Sequence, residues 1–115
     1  MIRFDDIAEK IQGDYTEKDI RTLQKAYIFA ARAHKGQIRR SGEPYLSHPL
    51  EVTNLLAELR LDLTTLIAAL LHDVPEDTDV SLAEIRENFG REVATLVEGV
   101  TKISRVEDTS PEETR

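Results

Sequence analysis

The 115-residue chain contains no cysteine, only five glycines and only four prolines. The absence of cysteine excludes a disulfide framework and a thiolate metal site. The low glycine and proline content argues against a fibrous or loop-dominated chain. No apolar run is long enough to cross a bilayer, and the first ten residues lack the apolar core of a signal peptide. These features predict one small globular domain, located in the cytoplasm and not in a membrane.

Acidic residues outnumber basic residues by 22 to 15 and give a formal net charge of −7. This balance is unfavourable for non-specific nucleic-acid binding, so we expect no direct contact of this segment with nucleic acid. Positive charge is concentrated between Arg32 and Arg40, a stretch without any acidic residue. Such a basic island predicts a specific site for an anion.

Apolar residues recur at spacings of three and four along most of the chain, and no strand-like alternation occurs, so we predict an all-α fold. A capping-box-like pair, Thr16 and Asp19, predicts a helix from about residue 17 to a stop at Gly36. Residues 36–47 are predicted to form a long polar loop, and Ser47 to cap the helix that follows.

The stretch LTTLIAALL, capped by Asp62, is apolar almost all round and predicts a buried central helix. Pro75 should disturb this helix, because proline disfavours α geometry at the preceding residue, Val74. A second capping box at Ser81 predicts a short helix that ends near Gly90. A last amphipathic helix is expected up to residue 103, before a polar tail.

His72 and Asp73, at the end of the apolar helix, are the main candidates for chemistry. Imidazole and carboxylate donors together suit a divalent ion such as Mn²⁺, Fe²⁺ or Zn²⁺. Adjacent helical residues diverge by about 100°, so both can reach one ion only near a helix end. His48 begins the preceding helix, and consecutive helices with a short link pack antiparallel. His48 is therefore predicted to face the pair as a third ligand.

Two further groups of residues could complete a phosphohydrolase site. Glu76 and Asp77 follow one turn after the His–Asp pair and could act as general base or acid. Arg39, Arg40 and Ser41 could bind a phosphorylated substrate.

Structural interpretations stand beside these assignments. Asp73 could merely cap the helix that Pro75 starts, and His48 could have no ligand role. Arg39 and Arg40 could be a solvated loop, and the acidic residues 76–79 a surface cluster. His34 lies on an apolar helix face and is interpreted as a packed core histidine.

Several motifs in order resemble the hydrolase domain of the RelA/SpoT homologue family. They are AHKGQIRRSGEPYLSHPLEV, LRLD, AALLHDVPEDTDVSLAEIRENFG and LVEGVTK, and the similarity runs from about Tyr27 to Lys102. The resemblance implies an all-α HD domain that uses Mn²⁺ to remove the 3′-pyrophosphate of guanosine tetra- and pentaphosphate alarmones. Position 75, often valine in this family, carries proline here.

By this resemblance, each candidate residue takes a role. His48, His72 and Asp73 match metal ligands, and Glu76 and Asp77 match the pair that activates the attacking water. A loop that holds the guanine and ribose of the alarmone is matched by Arg39, Arg40 and Ser41.

The family's fourth metal ligand is an aspartate in a motif downstream of this chain. We therefore expect residues 1–103 to form an incomplete hydrolase domain of a longer synthetase/hydrolase, with residues 104–115 as a frayed tail. A domain without that ligand would be weakly active or inactive alone. The alternatives are a non-catalytic module that regulates or forms a homodimer, and an HD phosphohydrolase for another nucleotide.

Overall fold

The structure is a computed structural model that describes residues 3–37 and 46–100. All regular secondary structure within these two ranges is helical, which confirms the predicted all-α class. The helices are α1 (Phe4–Ile11), α2 (Glu17–Ala33), α3 (Ser47–Glu58), α4 (Leu63–Leu71), α5 (Val74–Asp77) and α6 (Leu82–Phe89). Residues 91–100 are also helical, and we call this stretch α7. In the described part of the chain, none of the helices combines the length and apolar character needed to span a membrane.

Of the two predicted capping boxes, the one at the start of α2 forms with both of its hydrogen bonds, and at the start of α6 the structure shows the serine bond. The Thr16 hydroxyl accepts a hydrogen bond from the Asp19 backbone N–H at 3.0 Å, and the Asp19 carboxylate accepts one from the Thr16 N–H at 3.3 Å. At α6, the Ser81 hydroxyl accepts from the Glu84 N–H at 3.2 Å. Gly90 follows α6 with φ of 101°, a left-handed conformation that glycine adopts without strain.

The prediction for the start of α3 is wrong by one residue. Leu46 occupies the N-cap position, and Ser47 is the first helical residue, with a buried side chain. The helix at residues 4–11 was not predicted from the sequence. There Ile7 and Ile11 are buried, and α1 packs against α3 and α2. Lys10 reinforces this packing, because its ammonium donates to the side-chain oxygen of Asn54 at 2.6 Å.

The predicted central helix, α4, packs against both α2 and α3. Leu66, Leu70 and Leu71 are completely buried. The side chains of α1, α2, α6 and α7 complete the same core, in which Leu23, Ile85 and Val97 are also completely buried. Since α4 is enclosed on several sides, its C-terminal end is held at a fixed position relative to α2 and α3.

Tyr15 connects the turn before α2 to the turn between α3 and α4, because its hydroxyl donates a hydrogen bond to the Leu61 carbonyl. Burial raises the pKa of the Tyr15 phenol above 10.0, and the nearby carboxylates of Asp62, Asp14 and Asp19 raise it further. The folded state therefore favours the neutral phenol. This contribution to stability is complete below the ordinary pKa and is lost as the pH rises through the folded pKa.

We therefore expect Tyr15→Phe to weaken the dependence of stability on alkaline pH. The variant should lose about 1 kcal/mol at neutral pH with its hydrogen bond. Between pH 9 and about pH 11 its unfolding free energy should fall less steeply than that of the wild type, because the titrating group is gone. Urea unfolding across this pH range measures both slopes, and equal slopes would show that Tyr15 does not carry the effect.

Candidate metal and hydrolase site

The candidate site lies in the turn between α4 and α5. Helix α4 ends at Leu71, and His72 and Asp73 form the turn. Val74, completely buried, is the first residue of α5. The predicted break of the apolar helix before Pro75 is confirmed, because α4 ends at Leu71, but Val74 itself is helical, contrary to expectation. Pro75 lies in the first turn of α5, where its missing N–H would have no helical acceptor, so it is tolerated there.

The His72 ring is oriented by a backbone bond on one side and faces a carboxylate on the other. Its Nδ1 lies 2.6 Å from the Ala69 carbonyl oxygen, which can only accept, so Nδ1 carries a proton. Its Nε2 lies 3.2 Å from the Asp73 carboxylate. In the neutral imidazole, the lone pair of Nε2 faces the lone pairs of the Asp73 carboxylate oxygen, and the two groups repel each other. A proton or a cation between these two atoms removes the repulsion.

This geometry fits a divalent metal ion. Nitrogen and oxygen donors bound to one ion at about 2.1 Å lie about 3.0–3.4 Å apart, and the observed separation falls in this interval. A hydrogen bond from Nδ1–H to a backbone carbonyl is the usual means of fixing the tautomer of a metal-binding histidine. The side chains of His72 and Asp73 remain 15% and 26% exposed, so the pair is accessible to ions and substrate.

His48 lies across from this pair, as predicted from antiparallel packing of α3 and α4. It is in the first turn of α3 and is half-buried. The centroids of the His48 and His72 rings are 5.9 Å apart, and the ring planes are inclined at 66°. The structure thus places His48 near the ring of His72. In residues 3–37 and 46–100, however, no three histidine or carboxylate side chains are close enough together to hold a metal ion.

The contacts of Asp73 show whether its side chain caps α5. Asp73 occupies the N-cap position of α5, but its side chain makes no capping hydrogen bond. The carboxylate is directed to His72 instead. Asp73 is therefore available as a ligand, which capping would have prevented.

Some of the remaining predicted site residues lie within the part of the chain that the structure describes, and others lie outside it. Glu76 and Asp77 lie on α5 and are exposed. Arg39, Arg40 and Ser41 fall outside the described residues. His34 is 4% exposed at the C-terminal end of α2, in agreement with its interpretation as a core histidine.

Gln37 is a residue of this region that the sequence analysis did not single out. Its side-chain amide donates to the Asp77 carbonyl oxygen at 2.9 Å, across 40 positions of sequence. Sequence patterns report neighbours three or four residues apart on a helix, and so they carry no signal for this contact.

An apolar cleft of about 160 Å³ adjoins His72. It lies between α3, α4 and α7, and it is lined by Val52, Leu56, Thr65, Ala68, Ala69, His72, Leu96 and Val100. One side of the His72 ring is therefore lined mainly by apolar side chains.

A helical bundle that sets one histidine against a His–Asp pair at a helix end has the arrangement of an HD-type metal-dependent hydrolase. The profile of the HD domain matches residues 26–115. The chain belongs to the HD domain family, and its resemblance to RelA/SpoT homologues is confirmed by the relatives described next.

A guanosine-3′,5′-bis(diphosphate) 3′-pyrophosphohydrolase of Vibrio cholerae is 49% identical over 106 residues, which are 92% of this chain and 15% of that protein. A GTP pyrophosphokinase of Myxococcus xanthus is 47% identical, over 89% of this chain and 14% of that protein. The bifunctional (p)ppGpp synthase/hydrolase SpoT of Escherichia coli K12 is 47% identical, over 92% and 15%. The chain thus spans about 15% of the length of these curated relatives.

A solved structure supports the same relationship at the level of the fold. It is that of a metazoan orthologue of SpoT that hydrolyses ppGpp. It superimposes with a TM-score of 0.65 and 37% sequence identity, and the match covers 70% of this chain and 47% of that one.

Proposed function

We propose that this chain is part of a metal-dependent hydrolase that removes the 3′-pyrophosphate of guanosine tetra- and pentaphosphate in the cytoplasm. The observation that carries the proposal is the placement of His48 beside His72 and Asp73 at the junction of α4 and α5. The names of the relatives supply the substrate class. We further propose that residues 1–103 are the incomplete hydrolase domain of a longer synthetase/hydrolase.

In this proposal, His48, His72 and Asp73 hold a divalent ion, with Mn²⁺ as the expected metal. The donor set of two imidazoles and one carboxylate is compatible with Mn²⁺. The ion, when bound, supplies Lewis-acid polarisation of a phosphoryl oxygen and activation of water.

The exposed carboxylates of α5 are assigned to proton transfer. Water forms a bond to the phosphorus next to the 3′ oxygen, and the bond between that phosphorus and the 3′ oxygen breaks. Glu76 or Asp77 accepts the proton that the water loses, and the departing 3′ oxygen takes up a proton from solvent to become the 3′ hydroxyl. The products are GDP or GTP and pyrophosphate. Arg39, Arg40 and Ser41 are proposed to bind the guanine nucleotide, since guanidinium groups both pair with phosphate and stack on bases.

The direct test is to incubate the chain with Mn²⁺ and guanosine tetraphosphate and to separate the products by ion-exchange chromatography. We expect slow formation of GDP and pyrophosphate in equal amounts, and none after chelation of the metal. The double variant Glu76→Gln and Asp77→Asn should be inactive while it keeps the wild-type helical spectrum. GDP formation that persists with excess chelator would contradict the metal-dependent mechanism.

A second candidate function is a non-catalytic module that pairs with another copy of this chain. Two exposed leucines favour it, because Leu55 on α3 is 59% exposed and Leu59, which follows the last residue of α3, is 69% exposed. Sedimentation of the same sample distinguishes the two functions. A stable dimer without any alarmone hydrolysis would favour the module, and an active monomer would exclude it.

A further inference from the structure

Gln37 connects the end of α2 to the helix that carries the proposed catalytic carboxylates. Its side-chain nitrogen donates to the Asp77 carbonyl oxygen at 2.9 Å, and its side-chain oxygen lies 3.3 Å from Nδ1 of His34. Its backbone N–H donates to the His34 carbonyl at 2.9 Å. One residue is therefore fixed to α2 by two contacts and reaches α5 with a third.

The chemistry of its neighbours determines how the Gln37 amide is oriented. The Asp77 carbonyl oxygen can only accept a hydrogen bond, so the amide NH₂ group must face it. The amide oxygen then faces the His34 ring and accepts a hydrogen bond from Nδ1–H. The reverse orientation would place two acceptors against each other at Asp77. The bridge from His34 through Gln37 to Asp77 therefore has a single consistent direction.

The two ends of this bridge differ in how firmly they are held. His34 is 4% exposed at the end of the 17-residue helix α2. Helix α5 has only four residues, of which Val74 alone is buried. A helix this short has little stability of its own, so its position depends on tertiary contacts. The bridge thus connects the short helix α5, which has little stability of its own, to the 17-residue helix α2.

We propose that Gln37 is a positioning residue for Glu76 and Asp77. It holds the backbone of α5 from the side of α2, so that the two carboxylates keep a fixed distance from the His72–Asp73 pair. This inference rests on the proposed hydrolase function for its consequence in catalysis. Its structural part, the restraint of α5 by Gln37, can be tested without any activity.

The structural test is amide hydrogen exchange measured by NMR on the full chain. The Asp77 N–H donates to the Asp73 carbonyl at 2.9 Å and the Thr78 N–H to the Val74 carbonyl at 3.0 Å, so both amides report on the opening of α5. Gln37→Leu removes both side-chain bonds, and Gln37→Glu keeps an acceptor for His34 but cannot donate to Asp77. In both variants we expect these two amides to exchange about five to ten times faster.

The matched control is Gln24→Leu, which makes the same change at an exposed position of α2. It should leave exchange in α5 unchanged. In the Gln37 variants, amides in the middle of α4 should also exchange at the wild-type rate, since a general loss of stability would accelerate them too. Unchanged exchange at Asp77 and Thr78 in both Gln37 variants would overturn the proposal.

The catalytic consequence is measured in the alarmone hydrolysis assay. A displaced base lowers kcat by about ten to one hundredfold while KM for the nucleotide stays within about twofold. A Gln37→Leu variant with faster α5 exchange but wild-type kcat would contradict the role in catalysis. If the wild-type chain hydrolyses no alarmone, the proposed function fails for this chain, and exchange in α5 still decides whether Gln37 restrains it.

Discussion

Replacement of His72 by alanine should lower Mn²⁺-dependent alarmone hydrolysis at least about one hundredfold. The ring supplies one of the two imidazoles of the site, and its Nε2 faces the Asp73 carboxylate at 3.2 Å. Without it, the proposed site keeps only the His48 imidazole and the Asp73 carboxylate. Initial rates of pyrophosphate release, measured over a range of Mn²⁺ concentrations, quantify the loss.

A Mn²⁺ titration shows whether the loss of hydrolysis in this variant accompanies a loss of metal binding. Isothermal titration should show at least about tenfold weaker Mn²⁺ binding by His72→Ala. Glu51→Gln is the matched control, because Glu51 is an exposed acid on α3 that lies outside the proposed ligand set. It should bind Mn²⁺ and turn over substrate like the wild type. Normal hydrolysis by a folded His72→Ala variant would remove His72 from the site.

The sequence predicted well those features that are set by local physics. The capping box at Thr16 forms as expected, and at Ser81 the serine bond of the expected box forms, because each involves groups three residues apart. The apolar stretch that forms α4 is buried, as its composition required. The meeting of His48 and His72 was also predictable, since it needs only two consecutive antiparallel helices.

The errors lie where tertiary contacts outweigh local preference. Ser47 favours a cap position but is buried as the first residue of α3, because packing of this end of the helix decides its start. Helix α1 carries many charges, and only two of its side chains, Ile7 and Ile11, are buried, so its apolar signal is short. The Gln37 contact with Asp77 joins residues 40 positions apart, and no local pattern encodes it.

The candidate site was predicted as a set of residues but not as a geometry. The sequence identifies His72 and Asp73 as neighbours, yet it does not show which ring nitrogen faces the carboxylate. That orientation follows from the bond of Nδ1 to the Ala69 carbonyl, which exists because the α4 turn presents this oxygen to the His72 ring. The roles of Glu76 and Asp77 remain predictions, as do those of Arg39, Arg40 and Ser41.

The second large effect is expected in the core below the site. Leu70→Ala should lower the free energy of unfolding by about 2–5 kcal/mol, because it removes a buried side chain and leaves a cavity. Leu70 is completely buried on α4, two residues before His72. Small domains are stable by only about 5–15 kcal/mol, so this loss is a large fraction of the total.

The matched control is Leu59→Ala, the same chemical change at a position that is 69% exposed. It should alter stability by no more than about 0.5 kcal/mol. Urea unfolding followed by circular dichroism gives both values from the transition midpoints. Similar losses for the two variants would contradict the placement of Leu70 in the core. Because α4 ends at the proposed metal site, Leu70→Ala should also weaken Mn²⁺ binding, whereas Leu59→Ala should leave it unchanged.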